Sequence, residues 1–136
     1  MGIVYTEITL KNAVDLGMLK SGMLAEHEIR QVTIQALVDT GAYMLVINED
    51  MREKLGLNII GKAPATLANG VSSDFDYAGP VEVIWKNRKI NCDALILPDA
   101  KETLLGAIPL EALDLMVNPV AQEVVGIHGD QVMFRV

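Results

Sequence analysis

Apolar and polar residues alternate with a period of two through most of the chain, and that period marks strands with one buried face. Val4, Ile8 and Leu10 share a face with Thr6, while Glu7, Thr9 and Lys11 take the other. Val32, Ile34, Ala36 and Val38 alternate with Gln31, Thr33 and Gln35. The same rhythm sets Val71, Ser73, Phe75 and Tyr77 against Ser72, Asp74 and Asp76. It returns in Val81, Val83 and Trp85, in Ile90, Cys92, Ala94 and Ile96, and finally in Val132, Phe134 and Val136. The pattern predicts an all-β fold class.

Helical signals are few. Asn48 is placed to cap a short helix over Glu49–Leu55, with acids in its first turn and Gly56 as its stop. A second short helix is predicted from Pro109 to Asp114, with proline at its first position. Residues 12–28 mix Gly17 and Gly22 with charges and read as a loop insertion with room for one helical turn. Asn69-Gly70, between strand-like residues, predicts a hairpin with a type I′ turn. Lys86-Asn87-Arg88-Lys89 predicts another tight connection, with Asn87 as the turn residue.

A length of 136 residues suits a single domain over 1–136. An apolar fraction of 51% and a mean hydropathy of +0.30 are high for a small chain, and predict apolar surface covered by another chain. The net charge of −7 and the absence of a basic cluster longer than residues 86–89 argue against a nucleic-acid partner. Cys92 has no second cysteine for a disulfide or zinc site, which predicts a reducing, cytoplasmic setting and a buried, inert thiol. His27 and His128 lack ligand spacing and read as surface residues. Asp74 and Asp76 read as a solvated strand face, and Trp85 as core or interface. The first residues lack the basic start of a signal peptide, and no run of about 18 apolar residues predicts a membrane span. Met1–Thr6 fits the loose N-myristoylation pattern but continues into a strand, which is the reading taken here.

The stretch ALVDTGAYMLVIN, residues 36–48, sets an acid between two aliphatic strands. Asp39, Thr40 and Gly41 read either as an Asx-type turn or as the seat of a reactive carboxylate. Gly41 lets the backbone turn tightly and leaves its N–H to face the acid. A second glycine motif, Leu104-Leu105-Gly106, leads into a short apolar helix.

An apolar strand into Asp39-Thr40-Gly41-Ala42, a short helix, a hairpin, paired strands, then Leu104-Leu105-Gly106 and a helix follow in that order. The arrangement resembles the retropepsin-like aspartic proteases, most of all their small bacterial and archaeal members, over about residues 29–119. The resemblance implies a closed acid-protease barrel with one or two short helices. It implies that Asp39 is the catalytic aspartate, that Thr40, Gly41 and Ala42 complete its loop, and that Leu104, Leu105 and Gly106 pack beneath. Residues 64–80, with Asn69, Gly70 and Val71 near the tip, would form a flap over substrate. It further implies a homodimer acting on peptides with no metal or organic cofactor, because one Asp-Thr-Gly supplies only half of a carboxylate pair. Viral members carry an acid soon after the triplet and an arginine after the second glycine; this chain has Tyr43 and Ala107 there. Those differences leave open a catalytically inactive dimerisation or peptide-binding module, and a generic barrel whose Asp-Thr-Gly is only a turn. The strand at Val132–Val136 fits either a dimer contact or pairing within its own barrel.

Overall fold

The protein is described by a computed structural model over residues 3–129. Its elements are β1 (Tyr5–Asn12), α1 (Ala13–Lys20), β2 (Gln31–Val38), β3 (Leu45–Ile47), α2 (Glu49–Leu55), β4 (Asn58–Thr66), β5 (Ser72–Trp85), β6 (Arg88–Ile96), β7 (Leu104–Leu105), α3 (Ala107–Ala112), β8 (Leu115–Asn118) and β9 (Glu123–Gly126). A 3₁₀ turn, Glu26–Glu28, precedes β2.

Seven strands pair in the order β1-β2-β7-β3-β6-β5-β4, and β1 pairs again with β5, which closes a ring and leaves β4 hanging from β5. The length of β5 makes this possible: Val81–Ile84 pairs with β1, while Ser72–Gly79 pairs with β4. Inward residues fill the ring, with Leu10, Leu45, Ile47, Val81, Val83, Ala94 and Leu105 fully buried. The period-two reading of β1, β2 and β6, and of Val81–Trp85 in β5, therefore holds, because one face of each lies against this single core. The reading at 71–77 does not, since the start of β5 pairs with β4 and shows no buried face.

Residues 12–28 differ from the expected loop. Asn12 caps α1 by accepting from the Asp15 N–H (3.1 Å), and its Nδ2 donates to the Leu55 and Gly56 carbonyls at 2.8 and 3.3 Å. Asp15 accepts a two-point hydrogen bond from the Arg30 guanidinium (2.8 and 2.9 Å) and a third from the Arg30 backbone N–H. These tertiary bonds hold an eight-residue helix that its own glycine-containing sequence does not announce. The described residues thus contain three helices rather than one or two. The helix at 49–55 forms as predicted, with the Asn48 cap and Gly56 left-handed at φ +62. The last helix starts earlier, at Ala107, with Gly106 as its cap and Pro109 in its third position.

Both turns also differ in detail. The β4–β5 hairpin has a five-residue connection in which the Gly70 N–H donates to the Leu67 carbonyl (2.9 Å). Gly70 alone there has positive φ (+84), so the turn is not type I′; the Asn69 side chain instead accepts from the Val71 N–H at 3.0 Å. Between β5 and β6 the positive φ falls on Lys86 (+50), not on Asn87.

Beyond α3, β8 and β9 form a separate two-stranded sheet. Arg88, buried at the start of β6, donates to the Leu113 and Asp114 carbonyls at 3.0 and 2.8 Å. Asp114 in turn pairs with His128 Nδ1 at 2.7 Å, so His128 fastens this hairpin rather than standing alone on the surface. Trp85 is buried with Nε1 donating to Thr6 Oγ1 (2.8 Å). The Cys92 thiol is half-buried, and burial, with Asp93 adding to it, pushes its pKa up to about 12. Asp76 is not simply solvated: it bonds Lys62 across the hairpin at 2.9 Å. The strand read at Val132–Val136 and the Met1-Gly2 start lie outside the described residues.

Candidate active site

Asp39 follows the last residue of β2 and is fixed from beneath. β7 runs parallel to β2 and antiparallel to β3, so Leu104-Leu105 wedges between the two strands that flank the acid. The Asp39 N–H donates to the Leu105 carbonyl (3.0 Å), and the Leu37 N–H to that of Thr103 (2.9 Å). Above them the chain reverses: the Ala42 N–H donates to the Asp39 carbonyl at 3.1 Å, and the Gly41 N–H to Asp39 Oδ1 at 2.9 Å. The glycine N–H thus faces the carboxylate as the sequence suggested, and orients it.

Gly106 locks this loop to α3. A Cβ there would lie 2.8 Å from both the Ala42 carbonyl and the Met44 nitrogen, with the Met44 carbonyl closer still. The close approach lets the first two amides of α3, Ala107 and Ile108, donate to the Ala42 and Tyr43 carbonyls, each at 2.8 Å. The Asp39 loop therefore hangs from β7 on one side and from α3 on the other. Asp39 itself is half-buried, and Thr40 and Gly41 are exposed. Within the described residues no hydrogen bond reaches the Thr40 hydroxyl.

A groove of about 950 Å³ runs between this loop and the β4–β5 hairpin. Its walls are Asp39 and Tyr43 from the loop, Ala63, Ala65 and Leu67 from β4 and its turn, and Val46, Leu95, Leu97 and Leu104 from the ring. Of the residues expected at the flap tip, Asn69 lines the groove, while Gly70 and Val71 do not. The structure brings Asp39, Gly41, Ala42, Asn69 and Leu104 to one cavity and puts Leu105 and Gly106 beneath it. Sequence reasoning placed residues 64–80 in the flap but did not read the rest of β4, with Ala63, as a strand. Its signal was present, since Ala63, Ala65 and Leu67 alternate with Lys62, Pro64 and Thr66, but two alanines and a proline weaken a strand pattern.

Comparisons with known proteins bear on the family and the fold. Residues 25–112 match the family model described as "gag-polyprotein putative aspartyl protease". Among solved structures, the retroviral protease-like domain of Ddi1 from Leishmania major superposes with a TM-score of 0.59 at 16% identity, covering 97% of this chain and 91% of that one. At that identity the likeness establishes the fold alone. No curated protein sequence matches the chain. No helix among the described residues is long and apolar enough to cross a membrane.

Proposed function

Because the chain belongs to the gag-polyprotein aspartyl protease family, we propose that it is an aspartic endopeptidase working as a homodimer, with Asp39 of each copy sharing one catalytic water. The observation that carries the reading is Asp39 itself, held on a doubly anchored loop in a groove of about 950 Å³.

Peptide hydrolysis needs a base to take a proton from water and an acid to polarise the carbonyl. One carboxylate cannot be both at once. Two carboxylates placed a few ångströms apart hold one proton between them, an effect for which aspartic proteases are the standing example. With one Asp-Thr-Gly per chain, the second carboxylate comes from a second copy across a twofold axis. The ionised Asp39 takes a proton from water as the oxygen attacks the carbonyl carbon. The protonated Asp39 gives its proton to the carbonyl oxygen, making a tetrahedral diol. Transfer of a proton to the nitrogen as the C–N bond breaks frees the two product peptides, and the carboxylates end sharing one proton again. The exposed Thr40 hydroxyl is available to the second copy, where it would brace the loop pair. The hairpin with Asn69 at its tip acts as the flap and excludes water from the bound peptide.

The test is cleavage of a peptide library by the wild type and by Asp39→Asn from acidic to neutral pH. The reading predicts cleavage by the wild type and a loss of at least about 10³-fold in the variant, as removal of an essential catalytic group entails. Cleavage that survives in Asp39→Asn contradicts it. A wild type that binds peptides but cuts none would make the chain a peptide-binding module instead.

A further inference from the structure

Tyr43 is 78% exposed, yet its backbone is tied to the start of α3. Its carbonyl accepts from Ile108, its neighbour Ala42 accepts from Ala107, and the Met44 backbone abuts Gly106. Within the described residues its hydroxyl bonds nothing. An aromatic ring left in water forgoes burial that a small shift of the chain would normally recover. Here the anchored loop forbids that shift. The ring stands at the wall of the groove that holds Asp39, four residues away in sequence.

The rest of that groove is predominantly apolar, with Thr66 and Asn69 adding polar side chains near the hairpin. Among the described residues Asp39 is the only charged side chain lining it. Leu95, Leu97 and Val46 form an apolar floor, and the β4 wall is built of small residues, Ala63, Pro64, Ala65 and Thr66. Small residues on one wall leave space, and a large ring on the other offers a face to fill it against. A tyrosine has only two side-chain torsions to immobilise, so it can grip a ligand at low entropic cost.

We propose that Tyr43 is the specificity-determining residue of the groove, packing its ring against one aromatic or bulky apolar side chain of the peptide, close to the bond that Asp39 cuts. The proposal rests on the endopeptidase reading and adds to it which substrates are preferred and which residue selects them.

The experiment compares the wild type, Tyr43→Phe and Tyr43→Ala on peptides that differ at one position at a time near the cleaved bond, with kcat, KM and dimer mass measured for each. One position is expected at which the wild type prefers an aromatic or bulky apolar residue over alanine. At that position Tyr43→Ala lowers the ratio of kcat/KM for the aromatic over the alanine peptide by about 3- to 10-fold, the strength of one aromatic contact. The change falls mainly in KM, since ground state and transition state lose the contact alike. Tyr43→Phe recovers most of the discrimination, because the ring and not the hydroxyl makes the contact. An unchanged ratio in an active Tyr43→Ala overturns the proposal. So does an equal loss on every peptide together with loss of the dimer, which would make the ring a contact between copies. If the wild type cleaves no peptide at all, the endopeptidase reading fails first and this inference with it.

Discussion

Asp39 shows why a residue's chemistry is set by what holds it. Its carboxylate has a glycine N–H in front of it, and its backbone hangs from Leu105. Gly106 is the keystone, and its substitution is informative. Gly106→Ala would put a Cβ against three backbone atoms that cannot yield. We expect it to lower stability by about 1–3 kcal/mol, the usual penalty of overpacking, measurable as a shifted denaturant midpoint, and to reduce cleavage more than that shift explains. Asp15 makes a pH-dependent prediction. The Arg30 hydrogen bonds hold its carboxyl below the usual aspartate range, against the opposing effect of burial. Because the folded value is below the unfolded one, this stabilisation is present above about pH 4 and lost as pH falls through the folded value. Arg30 is half exposed, so solvent screening limits the pair. Asp15→Asn should cost about 1–2 kcal/mol at neutral pH, and the gap to wild type should narrow in unfolding curves taken below pH 4. Cys92, with its thiol pushed up to about 12 by burial, should resist alkylation at pH 8 in the native protein and react once denaturant is added.

Elements were legible where one local signal sufficed. The strands with one face on the core showed their period, and the helix at 49–55 showed both its cap and its stop. The Asp39 loop and the Leu104-Leu105-Gly106 motif were legible in combination, since either alone fits a simple turn while their order along the chain does not. What escaped depends on partners far along the chain. The helix at 13–20 stands on Asn12 reaching the end of the 49–55 helix and on Asp15 meeting Arg30, and no local window contains those contacts. Asn12→Ala removes the cap and two long-range bonds together, and should destabilise by about 1–3 kcal/mol. Hydrogen exchange should then show faster opening of residues 13–20 and 49–55 in concert. The first part of β4, before the flap at 64–80, escaped because its residues are exposed or half-buried and show no buried face. The hairpin tip was located correctly but its turn type was not, since the five-residue connection needs only one left-handed residue, Gly70.

For the molecule as a whole, closure gives each ring strand at least two neighbours, while β4, the strand that forms one wall of the groove, pairs among the described residues with β5 alone. Cleavage in this account is a property of two chains: one groove and one acid per copy, joined at an axis between the two Asp39 carboxylates. The most direct measurement mixes wild type with Asp39→Asn at fixed total concentration, lets the subunits exchange fully, and follows cleavage as the wild-type fraction falls. If each site needs Asp39 from both copies, activity falls as the square of the wild-type fraction. A linear fall would mean that each chain carries its own complete site, and would contradict the account.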